Sequence, residues 1–455
     1  MLRRWWLPPL ALLLLIAWGP APFGPFHFDD DRVIVDYAPV HSLAGWWQAQ
    51  PGLRPLLKLS YALNYSVDPG PFGFHVTNLC LHALNGVLLL LFLRRLLPAM
   101  PGVTLAVTAL WLLHPSSTEA VTYVSGRSVA LMTTFMLAAL WAVCGDRPRD
   151  RWLAALFTAL ALAVRETAWS LPFALAIVAW MTASQRGTEA RTAGFQAAWH
   201  LAWPRVWPSL AILGLAVVAF LLETRHRHLL LDNLPGQDRG ALLWTQLEAW
   251  RWFAAQALWL AAPNFDPDLR PQWQATPALV MWGLLLATLV ALSLRQLLRT
   301  HSLIAGSFLL AVIFLLPGYS ILMRPDMANN RHLYPVLPGL LLALLLAGNL
   351  LLATFAERTG LARVRMAGTA LLMLLVLYSA LATGLRNLDY LDERSLWQRT
   401  AEQSPDKSRV WNNLGMACEA EGDGDCARDA YRRAVQLDPA NLRAKNNLYF
   451  LESPE

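Results

Sequence analysis

Residues 75–95 have the sequence HVTNLCLHALNGVLLLLFLRR, a nearly uncharged run that ends in two arginines. At a rise of about 1.5 Å per residue, about 20 such residues cross the hydrocarbon core of a bilayer as an α-helix. The whole chain is similarly apolar: of its 455 residues, 56% are hydrophobic and 15% are charged, and the mean hydropathy is +0.37. This composition excludes a soluble protein of several ordinary domains and predicts an all-α, polytopic membrane protein.

Apolar runs of similar length predict about eleven membrane-spanning helices. They lie near residues 5–23, 75–93, 103–114, 128–144, 152–164, 168–183, 207–222, 277–294, 302–320, 333–355 and 366–385. Because the first run follows the basic start MLRR, a cleaved signal peptide is an alternative to a permanent span. The run continues into Trp18, Gly19 and several prolines without a small-x-small cleavage site, which favours the span.

The arginines predict the orientation of the chain. The net charge is +6, but the basic residues cluster in short loops, which is typical of a topology signal and not of a nucleic-acid surface. The predicted cytoplasmic groups are Arg3 and Arg4, Arg94 and Arg95, DRPRDR at 146–151, Arg186 and Arg191, Arg295 and Arg299, and ERTGLARVR at 357–365. The predicted outer regions are the first loop, residues 115–127, 223–275 and 322–332, and everything after 386.

Residues 241–261 interrupt this alternation. They carry Glu248 and Arg251 in mid-segment, where each charge costs about 2.5–3.5 kcal/mol at the bilayer centre. We therefore predict an amphipathic helix on the outer interface. In the alternative, the segment spans, everything downstream inverts and the C-terminus becomes cytoplasmic.

The predicted outer loops contain most of the unusual polar residues. The clusters are FHFDDDRVIV at 26–35 with Asp29, Asp30 and Asp31, HPSSTEAVTYVSGR at 114–127 with His114, Glu119 and Arg127, the pair Arg165 and Glu166, and RPDMANNRHLYP at 324–335. Polar groups at a membrane boundary are costly to leave unpaired, so clusters on one side predict a shared site. The alternative is that they are solvated loop ends and helix caps.

The sequence changes character at residue 387, which divides a membrane domain, 1–386, from a C-terminal domain, 387–455. Residues 410–441, VWNNLGMACEAEGDGDCARDAYRRAVQLDPAN, have tetratricopeptide-repeat spacing. The pattern residues are Trp411, Leu414 and Gly415 on one helix, Ala427, Tyr431 and Ala434 on the next, and Pro439 at its end. The second half of a preceding repeat is predicted near residues 391–405, and a following half-repeat is predicted to begin at Asn441. A lone repeat cannot bury its apolar face, so this array should pack on the membrane domain, a partner or another copy.

The four cysteines fall into two groups. Cys80 and Cys144 lie in predicted spans and are interpreted as packing residues. Cys418 and Cys426 lie on the two repeat helices, where a disulfide is expected if the domain is exported. The sequence contains no metal-ligand pattern, and no cofactor is required, although neighbouring acids are able to bind a divalent ion.

Seven motifs follow one another in an order shared with a known family. They are FDDDRVIV at 28–35, LRPLLKLSYALNY at 53–65, GFHVTNLCLHALN at 73–85, HPSSTEAVTYVSGR at 114–127, RETAWSLP at 165–172, NRHLYPVLPG at 330–339 and LRNLDYLDERSLWQRTAEQSP at 385–405. Together they cover nearly the whole chain. In this it resembles the transmembrane and tetratricopeptide-repeat O-mannosyltransferases and their bacterial relatives. The resemblance implies a GT-C membrane glycosyltransferase that takes a sugar from a polyprenyl-phosphate carrier, with its catalytic acid in the first outer loop.

The resemblance also implies roles for individual residues. The acidic pair of the family aligns with Asp29 and Asp30, which leaves Asp31 as an extra acid. One of the pair would be the base that takes the proton of the incoming hydroxyl, and the sequence does not decide which. The leaving phosphate needs positive charge, and the candidates, in order, are Arg331, Arg127 and Arg54.

Further motif residues receive supporting roles. Relatives show Arg-Tyr-Leu-Tyr where this chain has Arg331, His332, Leu333 and Tyr334, so His332 either assists the phosphate or caps a helix. His114 and Glu119 match the family motif, with a structural role at the outer ends of two spans as the alternative. Arg165 and Glu166 are interpreted as an ion pair that lets a short loop lie deep.

The acceptor is the least determined part of this interpretation. The similar eukaryotic enzymes mannosylate serine or threonine in secreted proteins, which implies a protein acceptor beside the repeat domain. Compact loops and residue bias predict a bacterial inner membrane, with the site and the repeat on the periplasmic side. Two alternatives are a GT-C enzyme that modifies a glycolipid or polysaccharide, and a non-catalytic scaffold that recruits exported proteins through its repeat. Charges collected at one face argue against a transporter.

Overall fold

The computed structural model describes residues 7–49, 52–183, 195–223, 238–320, 327–359 and 361–453. Every regular element within these ranges is helical, which confirms the all-α prediction. The α-helices, numbered α1 to α19 in chain order, are Leu7–Trp18, Leu43–Ala49, Pro55–Val67, Pro71–Leu96, Pro101–Leu112, Thr118–Val121, Arg127–Val143, Pro148–Val164, Leu171–Ala183, Phe195–Leu222, Arg239–Ala257, Pro277–Thr300, Leu303–Leu315, Leu337–Thr359, Leu361–Leu388, Glu393–Gln403, Ser408–Ala420, Gly424–Leu437 and Leu442–Glu452.

Within the described ranges, six helices are long and apolar enough to cross a bilayer, which confirms a polytopic membrane protein. They are Pro71–Leu96, Val124–Val143, Ala198–Leu222, Pro277–Thr300, Leu337–Ala356 and Ala362–Leu391. Shorter apolar helices occupy three more of the predicted spans, at Pro8–Phe23, Pro101–Leu112 and Leu303–Gly318. The predicted spans 152–164 and 168–183 lie in α8 and α9. The total of eleven crossings and the orientation stay predictions; Arg3, Arg4, Arg186 and Arg191 lie outside the described residues.

Local sequence accounts for the starts of many of these helices. Proline occupies the first position of α3, α4, α5, α8 and α12, where its missing N–H would have had no helical partner. Thr276 caps α12 by accepting a hydrogen bond from the Leu279 N–H at 3.3 Å, and Ser302 caps α13 by accepting one from Ala305 at 3.3 Å. These signals separate neighbouring apolar helices that composition alone does not delimit.

Close contact between helices depends on small residues, as is usual where lipid and protein interior are equally apolar. Helix α14 packs against α13 at Gly339, where a Cβ atom would lie 2.7 Å from the Ser307 carbonyl oxygen. Helix α4 packs against α5 at Gly86, where a Cβ atom would lie 2.7 Å from the Leu112 side chain. The most enclosed of the long helices is α7, which packs against α4 and α8.

The interrupting segment 241–261 forms most of helix α11. Glu248 and Arg251 pair with each other on it, with nitrogen–oxygen distances of 2.5 and 2.9 Å. Its other side contacts the segment that follows α13, because the Phe253 ring lies 4.6 Å from the Tyr319 ring and the Trp250 indole donates to the Tyr319 carbonyl at 3.1 Å. The helix is not among the six span candidates. Its interfacial position stays a prediction.

The C-terminal domain contains the helical hairpin that the repeat pattern requires, in α17 and α18. Gly415 faces the Tyr431 ring, where a Cβ atom would lie 2.5 Å from ring carbons, so glycine permits the close approach. Leu414, Ala427 and Ala434 are buried, the Trp411 indole donates to the Pro405 carbonyl at 2.8 Å, and Pro439 follows the end of α18. Assignment of this hairpin as a tetratricopeptide repeat stays a prediction.

The cysteines occupy three kinds of position. Cys418 and Cys426 form a disulfide between α17 and α18, with Cα atoms 5.8 Å apart. Cys144 is buried, as expected of a packing residue. Cys80 is exposed because α4 turns its side chain outward, so the interpretation of Cys80 as a packing residue is wrong.

The C-terminal domain packs on the membrane domain, the first of the three supports considered for it. The buried carboxylate of Asp266 accepts from Lys407 at 2.5 Å and from Arg409 at 2.6 and 2.9 Å. Asn264 donates to the Ser404 hydroxyl at 2.9 Å. The apolar core of the domain continues into the membrane domain through Tyr123 and Phe265.

Candidate active site

A polar pocket of about 290 Å³ lies where the five predicted outer regions meet. Each region contributes to its lining: Asp29 from the first loop, Glu119 and Tyr123 from 115–127, Phe265 and Asp266 from 223–275, Arg331 from 322–332, and Trp397 and Arg409 from the C-terminal domain. Residues 224–237 and 321–326 lie outside the described residues. Three of the predicted polar clusters therefore each place one residue in this pocket, Asp29, Glu119 and Arg331, whereas Arg165 and Glu166 are not part of its lining. A shared functional site stays a prediction.

Asp30 is buried, and both of its carboxylate oxygens accept hydrogen bonds from neighbouring protein groups. One carboxylate oxygen accepts from the His27 backbone N–H at 3.0 Å, and the other accepts from the Ser125 backbone N–H at 2.7 Å and from the Ser125 hydroxyl. Burial raises the pKa of Asp30 to about 6, although the bonds from Ser125 and His27 oppose that rise. Asp30 thus ties the first loop to the segment before α7, and it is not part of the pocket lining.

Asp29, its neighbour, does line the pocket and is only partly buried. Its backbone N–H donates to the Tyr123 hydroxyl at 3.1 Å, which fixes the loop at this point. Asp31 is exposed, begins the short π-helical turn Asp31–Val35 and is not part of the lining. Of the three consecutive acids, Asp29 is therefore the one placed to meet a ligand in this pocket.

Arg331 and Glu119 form the charged pair of the pocket. The Arg331 Nε lies 3.7 Å from the Glu119 carboxylate, and the Arg331 backbone N–H donates to that carboxylate at 3.3 Å. Burial raises the pKa of Glu119 to about 7, an effect that the nearby Arg331 opposes. Burial alone would lower the pKa of Arg331, but Glu119 raises it above its ordinary value. Arg331 therefore stays cationic inside the pocket.

Arg127, the second predicted phosphate ligand, is completely buried and is not part of the pocket lining. Its guanidinium donates to Asn78 at 2.6 Å, to Asn64 at 2.8 Å, and to the carbonyls of Phe74 at 2.9 Å and Ser60 at 3.3 Å. These acceptors belong to α3 and α4, whereas Arg127 begins α7. In this conformation the residue connects three helices and presents no free donor edge to a phosphate.

Arg54, the third predicted phosphate ligand, makes a two-point pair with Glu166. The nitrogen–oxygen distances are 2.9 and 2.5 Å. Burial would raise the pKa of Glu166, but the hydrogen bonds from Arg54 lower it to about 2. The charge of Arg165 also lowers the pKa of Glu166, and the predicted ion pair of these two neighbours stays a prediction. Arg165 follows helix α8 in an extended conformation and donates to the Ser128 hydroxyl at 2.6 Å.

His332 lies beside the polar pocket, on the same 3-10 turn as Arg331, Asn330–Leu333. One ring nitrogen is 3.1 Å from Arg165 and the other is 2.6 Å from the Tyr319 hydroxyl. His332 also lines an apolar recess of about 340 Å³ with Met132, Met136 and Phe314. Adjacent residues of one turn thus contribute to two different cavities, one polar and one apolar.

Tyr334 and His114 contact the protein interior. The Tyr334 hydroxyl lies 2.8 Å from a ring nitrogen of His82, and its carbonyl accepts from the Trp111 indole at 2.9 Å. The buried His114 ring lies 4.4 Å from the Trp259 ring and accepts from the Ser116 N–H at 3.2 Å. Burial lowers the pKa of His114 to about 3, so its ring is neutral. These contacts match the structural alternative considered for His114.

Several pocket residues were not expected from the sequence. Tyr123 and Trp397 stand inside quoted motifs without an assigned role, and Phe28 directly precedes the acids. Asp266 and Arg409 carry no motif, since their pairing depends on contact between the C-terminal domain and residues 258–276. Only the tertiary arrangement identifies them.

No metal site accompanies these groups within the described ranges, where no set of three or more His, Cys, Asp or Glu side chains converges. The two acids considered for a divalent ion have different surroundings, since Asp29 lines the pocket whereas Asp30 is bound by Ser125. A divalent ion here stays a prediction.

The chain is similar to several animal proteins of one family. It is 34% identical over 172 residues to the protein O-mannosyl-transferase Tmtc2 of Drosophila melanogaster, covering 31% of this chain and 18% of that protein. It is 43% identical over 89 residues to Tmtc1 of the same fly, covering 19% and 10%, and 27% identical over 164 residues to TMTC4 of Mus musculus, covering 30% and 22%. The chain therefore spans about a fifth or less of the length of these relatives. No family model and no solved structure matches it.

The similarity supports the family resemblance that the seven motifs indicate. These relatives are protein O-mannosyl-transferases by name, and the aligned part reaches about 30% of this chain. A polytopic helical architecture and a polar pocket accompany that similarity in the present structure.

Proposed function

We propose that this protein is a GT-C-type glycosyltransferase that moves a sugar from a polyprenyl-phosphate carrier to a hydroxyl acceptor in the polar pocket. Asp29 is the base, Asp30 anchors the loop that carries it, and Arg331 binds the donor phosphate. The observation that carries the proposal is that the partly accessible Asp29 and the cationic Arg331 line the same pocket, where five regions meet.

The proposed chemistry uses these two groups at opposite ends of the reacting bond. The acceptor oxygen bonds to the anomeric carbon while its proton passes to the Asp29 carboxylate, and the bond from that carbon to the phosphate oxygen breaks. The electron pair leaves with the carrier phosphate, whose charge changes from one negative to two. A fixed arginine stabilises that developing charge more strongly than the starting diester, so it contributes to rate and not only to binding.

An apolar recess next to the charged site supports a lipid-linked donor. The recess beside His332 shares Met136, Phe314 and Pro335 with a second apolar recess between α4, α7, α13 and α14. We propose that the carrier lipid lies along these apolar side chains while its phosphate reaches Arg331, one residue before His332. Arg54 and Arg127, each satisfied by protein groups, are proposed to organise the surrounding structure.

A protein acceptor is supported by the names of the relatives and by the C-terminal domain. Those relatives are called protein O-mannosyl-transferases, and Trp397 and Arg409 bring the C-terminal domain into the pocket wall. We propose serine or threonine hydroxyls as acceptors and mannose as one candidate sugar. The basic loops support an outward-facing site, in the periplasm of a bacterial inner membrane, and the Cys418–Cys426 disulfide is consistent with an oxidising compartment.

The test is transfer of labelled sugar from polyprenyl-phosphate donors to membrane and periplasmic fractions. We expect label on protein with the native chain, and a decrease of about 10²- to 10⁴-fold in turnover with Asp29→Asn, because proton transfer by the base is lost. Asp36→Asn, an exposed acid of the same loop, is the matched control.

Three outcomes would contradict parts of the proposal. Loss of turnover in Asp30→Asn, with full activity in Asp29→Asn and both variants folded, would move the base to Asp30. Label on lipid or glycan would favour the glycolipid or polysaccharide enzyme. The absence of acid-dependent transfer with any donor would leave the scaffold as the better account.

A further inference from the structure

Glu393, at the start of α16, makes three contacts that connect the C-terminal domain to the acidic loop, residues 26–35. One carboxylate oxygen lies 3.0 Å from the His27 Nδ1 and accepts from the Phe28 backbone N–H at 3.2 Å. The other accepts from the Trp397 indole N–H at 2.7 Å. His27 and Phe28 directly precede the proposed base, whereas Trp397 belongs to the C-terminal domain and lines the pocket. The Glu393 carboxylate therefore connects residues 27–28 of the first loop with helix α16 of the C-terminal domain.

The loop that Glu393 holds has an unfavourable backbone conformation. Phe28 has a φ of 49°, in the left-handed region that is unfavourable for a residue with a Cβ atom. Such a conformation persists only where surrounding contacts impose it. Besides the Glu393 hydrogen bond, the Phe28 ring contacts the Trp397 ring at 5.6 Å and the Phe265 ring at 6.3 Å.

The contact of Glu393 with His27 adds a charge to this connection. The second ring nitrogen of His27 lies 2.9 Å from the Tyr390 carbonyl, so both nitrogens face acceptors. A histidine satisfies two acceptors only when both nitrogens carry protons, which makes the ring cationic. The His27 ring is wholly buried, so the opposite charge of Glu393 has no substitute in solvent.

We infer that Glu393 is a positioning residue for the transfer reaction: it holds Phe28 in its left-handed conformation and so directs Asp29 into the pocket. This inference rests on the proposed function. It assigns the C-terminal domain a role in catalysis itself, in addition to recognising an acceptor. A misplacement of about 1 Å at a reacting group costs about 100-fold in rate, so a contact outside the reacting atoms is sufficient for this effect.

The test compares Glu393→Ala with Glu402→Ala in the full-length protein in detergent. Glu402 is on the same helix but pairs with Arg399 at 2.7 Å on the exposed surface, so it is a matched loss of one carboxylate. For Glu393→Ala we expect kcat to fall about 10- to 100-fold, with little change in KM, both for a short serine peptide and for hydrolysis of the donor by water. Glu402→Ala should behave as the native protein.

Hydrogen exchange provides a readout that does not need activity. Glu393→Ala should raise exchange in residues 27–30 and leave residues 408–437 protected, which shows that the C-terminal domain is still folded. Trp397→Phe keeps an aromatic ring but removes the indole N–H, and a smaller change in the same direction is expected. Glu393→Gln, which keeps one acceptor oxygen and loses the charge, should lie between the native protein and the alanine variant.

The outcomes separate this inference from the proposed function. An increase in KM for the peptide at unchanged kcat, or unchanged exchange in residues 27–30, would overturn the positioning role. If Glu393→Ala unfolds the C-terminal domain, the test depends on Trp397→Phe and Glu393→Gln. Native hydrogen exchange and native kcat in both of these variants would then overturn the positioning role of Glu393. Exchange that depends on Glu393 in a native protein without transfer activity would reject the proposed function and retain the structural contact.

Discussion

In and around the acidic loop, one aspartate and one arginine are buried in the protein interior, and another aspartate and another arginine line the pocket. The buried set is Asp30 and Arg127, each surrounded by protein partners. The pocket set is Asp29 and Arg331, which line one cavity. Motif membership does not distinguish the two sets, because both arginines and both acids stand in family motifs.

The difference between the sets lies in what completes their hydrogen bonds. Arg127 donates to two asparagine side chains and two carbonyls, so its charge and geometry are used inside the protein. Arg331 has a longer contact of 3.7 Å to Glu119, a carboxyl group whose pKa burial raises to about 7. An arginine whose carboxylate partner is reluctant to ionise retains electrostatic capacity for an anionic ligand. A buried arginine with full partners contributes to stability instead.

The largest effect is expected for Arg127→Lys. An ammonium group cannot reach the dispersed acceptors that the guanidinium serves, and each buried acceptor left unpaired costs about 1–3 kcal/mol. The free energy of unfolding should fall by about 3 kcal/mol, measured as thermal unfolding in detergent. Exposed Arg149→Lys on α8 is the control, with native stability expected. Native stability together with weak donor binding in Arg127→Lys would remove the distinction between the two sets.

The next effect concerns turnover and not stability. Arg331→Lys keeps the charge of the pocket but loses the fork that binds two phosphate oxygens, and a hydrogen bond to a charged group is worth about 1.5–3 kcal/mol. We expect kcat/KM for the lipid-linked donor to fall about 10- to 100-fold, with an unfolding temperature close to that of the native protein. Native donor kinetics in Arg331→Lys, or a destabilisation as large as in Arg127→Lys, would assign Arg331 to the buried set.

The smallest effect is a pH dependence that belongs to the pocket. The pKa of Glu119 is raised to about 7, so Glu119 is mainly protonated below pH 7 and ionised above it. Ionised Glu119 offsets the charge of Arg331, whereas the phosphodiester stays anionic throughout. Donor KM should therefore decrease several-fold as pH falls through 7, which corresponds to an interaction of about 1 kcal/mol. In Glu119→Gln this dependence should be absent; an unchanged pH profile there would show that another group controls donor binding.

Sequence analysis and structure agree most closely on the arrangement of whole segments. Apolar length predicted the long helices. The alternation of basic loops assigned Asp29, Glu119 and Arg331 to predicted outer regions, and these three residues line one pocket. The roles of adjacent residues were beyond that reasoning. Asp29 and Asp30 have identical chemistry, but the turn at Phe28 directs one to the pocket and the other to Ser125. Arg165 and Glu166 are neighbours in sequence, but Glu166 makes a two-point pair with Arg54, which directly precedes α3 and lies 112 positions earlier in the chain.

What the sequence by itself determined about this protein is its membrane-spanning, helical character, the hairpin spacing at the C-terminus and the set of polar motifs. Those properties depend on apolar length and local periodicity, which neighbouring residues control. Only the tertiary structure decided which acid and which arginine meet in the pocket, and that Glu393 of α16 contacts the acidic loop. Such contacts join residues hundreds of positions apart, and they depend on how whole helices pack.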